Sequence, residues 1–182
     1  MNDSVMALAL AALLGLMIGS FLNVVIHRLP LMLQAQWDAP LGDTTHDASL
    51  SAPPFNLAAP RSHCPHCQHT LAWHENIPLL SFLRLRGRCA HCHTPIGWRY
   101  PAIELVTAGL FMWAAAEHGL SFQALVWAGF AAALVALAAI DADTRLLPDA
   151  ITQPLVWAGL LAASLGLTGI GLNDALWGAA AG

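Results

Sequence analysis

The stretch "LVALAAIDADTRLLPDAITQPLVW", residues 134–157, decides the fold class of this chain. It contains three aspartates within nine residues, Asp141, Asp143 and Asp149, with an apolar run on either side of them. A helix needs about 20 consecutive apolar residues to cross a bilayer, and both runs extend outward toward that length. The stretch therefore predicts two membrane-spanning helices joined by a short acidic turn.

The composition of the whole chain agrees with this interpretation. Of its 182 residues, 57% are hydrophobic and only 10% are charged. Soluble domains carry about 25% charged residues, so an ordinary soluble domain is excluded. We predict an all-α polytopic membrane protein with about four transmembrane helices and one polar insert. The helices are expected at about residues 5–26, 101–116, 121–140 and 150–167.

Each end of the chain allows a second interpretation. Residues 5–26 could form a signal peptide, but the preceding "MNDS" has no positive charge, the apolar run is too long and no A-x-A-like site follows. We therefore favour a retained helix. The last residues, "NDALWGAAAG", are too few to cross a bilayer. They either lie at the interface or begin a fifth span that is cut short, and we expect the second.

The positive charges predict the orientation in the membrane. The chain has no lysine, and with four spans and an external N-terminus all seven arginines fall on one side. Cytoplasmic loops are enriched in Lys and Arg, so this side is expected to be the cytoplasm. The net charge of -4 gives no indication of nucleic-acid binding. The seven are Arg28, Arg61, Arg84, Arg86, Arg88, Arg99 and Arg145.

These patterns divide the chain into three predicted domains. Residues 1–28 form the first transmembrane helix, residues 29–100 form a cytoplasmic insert, and residues 101–182 form a second membrane region. Residues 31–60 of the insert are polar and punctuated by Pro, Gly and Ser, which predicts a loop. The second half contains all the cysteines.

The cysteine spacing predicts a metal site. Cys64 and Cys67 in "CPHC" and Cys89 and Cys92 in "CAHC" form a C-x2-C-x21-C-x2-C pattern. Two such pairs are typical of a closed, structural, tetrahedral zinc site with four thiolate ligands. Disulfides are the alternative, but the cytoplasm is reducing. A neighbouring histidine could replace one ligand; the candidates are His63, His66, His69, His91 and His93.

Two features concern the packing of the helices. Gly15 and Gly19 form a G-x-x-x-G pattern, which is typical of close helix contact. Asn23, near the cytoplasmic end of the first helix, is polar enough to need a partner. Glu104 follows Pro101, so it is either an acid in the first turn that favours the helix dipole or a ligand.

The three aspartates have different predicted roles. Asp149 follows Pro148 and is expected to be the N-cap of the fourth helix. Asp143, close to Arg145 in sequence, is expected to be a solvated interface acid. Asp141 directly follows the third span. A carboxylate at the membrane boundary is either an interface charge or a functional group.

Taken together, five stretches resemble the bacterial prepilin peptidase family. The resemblance implies a bifunctional inner-membrane enzyme that cleaves leader peptides of type IV prepilins or type II secretion pseudopilins. It also implies that the enzyme N-methylates the new N-terminus with S-adenosylmethionine. The matching stretches are "GSFLNVVIHRLP", "CPHC", "HENIPLLSFLRLRGRCAHC", "IGWRYPAIEL" and "IDADTRLLPDAIT".

Matched by position, the resemblance implies that Asp141 is the first catalytic aspartate and that the four cysteines bind zinc. It also implies a cofactor-binding, methylation-linked region that includes Gly87, Glu75 and Glu104. The second aspartate of the family stands in a G-x-G-D motif, which these 182 residues do not contain. We expect it one helix further on, in a longer enzyme; the alternative is an internal dyad of Asp141 with Asp143 or Asp149.

The expected partners are prepilin or pseudopilin substrates and the lipid bilayer, with no nucleic acid. The alternative function is a zinc-stabilised membrane assembly protein without hydrolytic activity, or a methylation-only protein.

Overall fold

The computed structural model describes residues 2–38 and 55–181, and within these two ranges the chain is helical without any β-strand. The prediction of an all-α fold is confirmed. The α-helices are α1 (Asn2–Trp37), α2 (Leu80–Arg84), α3 (Arg99–His118), α4 (Phe122–Thr144), α5 (Asp149–Ser164) and α6 (Leu172–Ala181), with one 3-10 helix at Trp73–Asn76.

Helix α1 is longer than the predicted first span. Its 36 residues include Pro30 and continue to Trp37, so the prediction of loop from residue 31 onward is wrong for residues 31–37. These residues, "LMLQAQW", are mostly good helix formers, which explains the extension. At about 1.5 Å per residue the helix is about 54 Å long, whereas the bilayer core is about 30 Å thick. Part of α1 therefore extends beyond the membrane.

Two described helices are long and apolar enough to cross a membrane by length and composition, namely Ser4–Trp37 within α1 and Phe122–Thr144, which is α4. The other two predicted spans coincide with α3 and α5. Helix α3 carries Glu104, and α5 has only 16 residues with Pro154 inside it. That α3 and α5 also cross the membrane stays a prediction.

Helices α1, α3 and α4 pack together, and the contact between α1 and α3 is unusually close. A Cβ atom at Gly15 would lie 2.6 Å from the Cα atom of Ala108, and one at Gly19 would lie 2.7 Å from the Cα atom of Glu104. Only glycine fits at these two positions without moving the neighbouring backbone. The close packing predicted from the G-x-x-x-G pattern is therefore confirmed.

The acidic turn joins α4 to α5. Helix α4 ends where Arg145 adopts a left-handed conformation (φ 54°) and donates its backbone N–H to the Asp141 carbonyl. The N-cap of α5 is Pro148, in an extended conformation, and Asp149 is the first helical residue. The prediction that Asp149 is the N-cap is wrong by one residue. Its carboxylate lies instead in the first turn, where it favours the helix dipole.

Candidate active site and metal centre

The two cysteine pairs lie in two turns of the same construction. In the first turn the Cys64 N–H donates to the His69 carbonyl (2.9 Å) and the Gln68 N–H to the Cys64 carbonyl (2.9 Å). In the second turn the Cys89 N–H donates to the Thr94 carbonyl (2.9 Å) and the His93 N–H donates to the Cys89 carbonyl (3.1 Å). Gln68 and His93 both have positive φ, of 58° and 56°. The C-x2-C spacing thus builds each half of the site locally.

Tertiary packing brings the two turns face to face. The four Sγ atoms lie within 4.8 Å of one another. The distances across the two turns are 3.8 Å for Cys64–Cys92 and 3.9 Å for Cys67–Cys89. Zn–S bonds of about 2.3 Å in a regular tetrahedron give sulfur–sulfur edges of about 3.8 Å. The four thiols therefore fit a zinc ion, and the predicted cluster is confirmed. All four cysteines are free thiols.

Hydrogen bonds to sulfur favour thiolates on part of the cluster. The Thr94 side chain, 3.2 Å from the Cys92 sulfur, and the Thr94 backbone lower the pKa of Cys92 to about 5. Bonds from the backbones of Cys67 and His66 lower the pKa of Cys64. The His69 backbone lowers the pKa of Cys67 too, but burial and the neighbouring thiols outweigh it and raise that pKa to about 12. A divalent cation would supply the positive charge that lets all four ionise.

Among the described residues, the group that could hold a metal ion consists of the four cysteines and includes no histidine. The rings of His69 and His91 stack with centroids 5.3 Å apart, and His69 Nε2 lies 3.5 Å from Glu75 Oε2. Glu75 also accepts a hydrogen bond from the Ala72 N–H (2.8 Å). That bond and the nearby His69 hold the pKa of the Glu75 carboxyl below its ordinary value. Glu75 thus fastens the loop that follows the first cysteine turn.

Gly87 is a turn residue directly before the second cysteine pair. Its φ is +66°, and a Cβ atom there would lie 2.9 Å from Cζ of Phe82. Its carbonyl accepts a hydrogen bond from the Ile96 N–H at 2.7 Å. A larger residue would strain this turn and displace the Phe82 ring, so glycine serves the local fold.

Glu104 joins the insert to the helices. It is buried, and its carboxylate accepts a hydrogen bond from the Leu79 N–H at 2.8 Å. Because α3 begins at Arg99, Glu104 lies beyond the first turn, and the interpretation as a first-turn acid is wrong. Asn23 adds a second link, since its side chain donates to the Tyr100 carbonyl (3.1 Å). The partner predicted for Asn23 is therefore a backbone group.

Sequence reasoning missed the role of Arg28. This side chain is 7% exposed and donates to the carbonyls of Asn56 (2.8 Å) and Pro60 (2.7 Å). Its guanidinium also lies 5.8 Å from the centre of the Phe55 ring. Arg28 thereby fastens the entry to the cysteine turns onto α1. The sequence offered one indication of this role: Arg28 follows the apolar residues 5–26 and has no acidic residue close to it in sequence.

The aspartates of the turn differ in their contacts. Asp143 is exposed, as predicted for a solvated acid, and it pairs with Arg99 (2.6 Å), which also donates to the Ala139 carbonyl (3.1 Å). Asp141 is exposed on the last turn of α4, and among the described residues it takes part in no ion pair. Residues two apart on a helix do not face each other, so Asp141 and Asp143 point in different directions.

Two protein-family models match the parts of the chain that contain these helices, cysteines and aspartates. The Bacterial Peptidase A24 N-terminal domain matches residues 13–118, and the Type IV leader peptidase family matches residues 128–182. The chain belongs to the type IV leader peptidase family. The predicted resemblance is confirmed. In this family assignment the cysteines, Glu75, Gly87 and Glu104 fall in the first match and Asp141 in the second.

Curated relatives carry matching names. A "Prepilin leader peptidase/N-methyltransferase" of Burkholderia pseudomallei (strain 1026b) is 52% identical over 153 residues, which is 82% of this chain and 49% of the relative. One of Aeromonas hydrophila is 49% identical, over 96% of this chain and 60% of the relative. The "Type 4 prepilin-like proteins leader peptide-processing enzyme" of Escherichia coli O78:H11 (strain H10407 / ETEC) is 45% identical, over 95% and 63%.

The chain thus spans about half the length of the first of these curated relatives. No solved structure matches it.

Proposed function

We propose that this chain supplies the first catalytic aspartate and the zinc-stabilised insert of a prepilin peptidase that also N-methylates its product. The observation that carries the proposal is the state of Asp141. It ends an apolar helix with an exposed carboxylate, whereas Asp143, two residues on, is committed to Arg99. The family match over residues 128–182 supports the same assignment.

Asp141 acts in this proposal as one half of an aspartyl dyad. One carboxylate takes a proton from the attacking water, and the other, protonated, carboxyl stabilises the developing oxyanion at the scissile carbonyl. The peptide C–N bond then breaks as the carboxyl that took the proton from water passes it to the leaving amine nitrogen. Asp143 is unsuited as the second member, because it pairs with Arg99 and points elsewhere. We assign the second carboxylate to a G-x-G-D motif, as the family resemblance implies.

The zinc ion in this proposal is structural. Ligation by Cys64, Cys67, Cys89 and Cys92 fills all four positions of a tetrahedral ion and leaves none for substrate. Metal binding would hold the two cysteine turns together, and its free energy is folding free energy for the insert. Glu104 and Arg28 then transmit that order to α3 and α1.

For methylation we propose S-adenosylmethionine as the donor and the region of Gly87, Glu75 and Glu104 as its site. In support, both glutamates bracket one loop by accepting the N–H groups of Ala72 and Leu79. Calorimetric titration of S-adenosylmethionine into Glu75→Gln, with zinc content as the measure of folding, tests this. Wild-type affinity in a zinc-loaded Glu75→Gln protein would exclude Glu75 as a contact.

We place the protein in the bacterial inner membrane with the insert facing the cytoplasm, where the leaders of prepilins or pseudopilins would meet Asp141. The distribution of all seven arginines to one side supports this orientation. Reporter fusions at Thr144 should report the cytoplasm and those at Gly119 the periplasm. The opposite pattern would reverse the orientation.

A leader-cleavage assay tests the peptidase proposal. Membranes from cells that express the intact gene should cut a prepilin, and Asp141→Asn should abolish the cut while zinc content and membrane insertion stay unchanged. Asp143→Asn is the matched control, because it alters a carboxylate on the same turn and should retain activity. Full activity of Asp141→Asn would refute the assignment.

A further inference from the structure

One groove of the insert includes Gly87 and its neighbours Phe82 and Ile96, but neither Glu75 nor Glu104 lines it. It has a volume of about 760 Å³ and lies between α2 and the segment that leads into α3. Aromatic rings form part of its wall, since Phe82 and Trp98 meet edge to face with centroids 4.9 Å apart. Its rim carries exposed apolar and cationic side chains, namely Leu83, Arg86, Arg88 and Trp98.

The groove is strongly basic. Residues 80–100 contain four arginines and no acid. Of these, Arg99 is paired with Asp143, but no carboxylate of the described ranges pairs with Arg86 or Arg88. The two rim arginines therefore present uncompensated positive charge beside an apolar surface.

The backbone of Arg86 has a left-handed conformation. Its φ is 51°, a left-handed conformation that is costly for a residue with a Cβ atom. The next residue is a glycine in the same region of φ. A glycine at position 86 would relax the turn, yet the chain has an arginine. Gln68 and His93 have positive φ in the cysteine turns as well, so this conformation by itself assigns no function to Arg86. It does mean that Arg86→Gly removes the charge without straining the turn.

The groove lies close to the membrane boundary. Trp98 directly precedes α3 and is 76% exposed, and Leu83 across the groove is 69% exposed. Arg99, the next residue, donates hydrogen bonds to Asp143 and to the Ala139 carbonyl at the end of α4, which is long and apolar enough to cross a membrane. Exposed tryptophan is typical of membrane interfaces, and clustered arginines beside a bilayer attract anionic lipids.

We propose that this groove binds the headgroup of an anionic phospholipid and so holds the insert against the membrane surface. The arginines contact the phosphate, while Trp98 and Leu83 enter the interfacial layer. Charge selects this occupant over a zwitterionic lipid, and the position beside α3 selects a lipid over a soluble anion. The proposal is independent of the peptidase activity.

Binding of defined lipids to the purified, delipidated protein tests the proposal. Native mass spectrometry would compare dioleoylphosphatidylglycerol with dioleoylphosphatidylcholine. We expect the wild type to prefer the anionic lipid, and removal of each rim arginine to weaken its binding roughly fivefold. Arg86→Gly is the most informative variant, because it removes the charge while relaxing the backbone. Arg61→Gln, an exposed arginine of the insert outside the groove, is the control and should change binding less than twofold.

Zinc content verifies that each variant is folded. If Arg88→Gln loses zinc, the wild type at raised salt replaces it, since screening should remove the preference for the anionic lipid. Equal binding of the two lipids by the wild type, or equal losses in Arg61→Gln and Arg86→Gly, would overturn the proposal. Displacement of the lipid by glycerol phosphate alone would also overturn it, because the groove would then recognise a soluble anion.

Discussion

Replacing Gly19 by alanine tests the contact between α1 and α3 and its effect on the insert. The new Cβ atom would lie 2.7 Å from the Cα atom of Glu104 and 3.2 Å from the Cβ atom of Thr107. Non-bonded carbons rest at about 3.5–4.0 Å, so the two helices must separate by about 1 Å at this point. Overpacking of this kind costs about 1–3 kcal/mol in the free energy of unfolding.

Gly109→Ala is the matched control for this substitution. Gly109 is also helical, but a Cβ atom there has no neighbour within 4 Å. Alanine favours a helix over glycine by about 1 kcal/mol, so this variant should be neutral or more stable than the wild type. Because the gain in helix propensity is common to both variants, their difference isolates the packing term of about 1–3 kcal/mol.

The assay is reversible unfolding in detergent micelles, with hydrogen exchange of the Leu79 amide as a second readout. That amide donates to Glu104, whose Cα atom the substitution displaces. We expect faster exchange at Leu79 in Gly19→Ala and unchanged exchange in Gly109→Ala. If Gly19→Ala is as stable as Gly109→Ala and Leu79 stays protected, the inferred backbone contact does not exist.

Three further predictions concern the metal site, the ion pair and Glu75. Metal analysis of the purified protein should find about one zinc per chain. Cys64→Ser should lower this zinc content and destabilise the insert, whereas His66→Ala should leave the zinc content unchanged. Arg99 and Asp143 are 45% and 41% exposed, so a double-mutant cycle on unfolding should give a coupling energy of about 0.2–1 kcal/mol. A coupling energy of zero would mean that this ion pair does not stabilise the end of α4. The lowered pKa of Glu75 means that its contribution to stability is present above pH 4.5 and is lost as the pH falls through the folded value; melting curves of Glu75→Gln and wild type should therefore differ at pH 7 and converge in acid.

Several parts of this fold were predictable from sequence because their causes are local. Apolar runs of membrane-spanning length favour helices, because a helix satisfies its backbone hydrogen bonds internally, and α1 and α4 lie where those runs are. Each C-x2-C turn closes through hydrogen bonds within six residues, so the spacing of the two cysteines predicts the turn. The contact at Gly15 and Gly19 was also predictable, since only small residues allow two helix backbones to approach closely.

The sequence alone was misleading where a polar group found a distant partner. In sequence, Asp143 is 44 residues from Arg99, and Glu104 is 25 residues from Leu79, whose backbone N–H donates a hydrogen bond to it. Local patterns placed Asp143 close to Arg145 and Glu104 in a first helical turn, and neither pattern indicated the partner that the structure shows. The end of α1 and the cap of α5 differ from the prediction for another, local reason, because helix boundaries depend on small local differences in free energy.

By itself, the sequence determined the family, the approximate positions of the helices and the four-cysteine cluster, because each depends on contiguous residues or short motifs. Only the tertiary structure decided which partners the described acids find. It buried Glu104 and Arg28 against backbone groups, paired Asp143 with Arg99 and left Asp141 exposed. The physical reason is that a charge near a membrane must find a partner or water, and packing of the whole chain determines which is within reach.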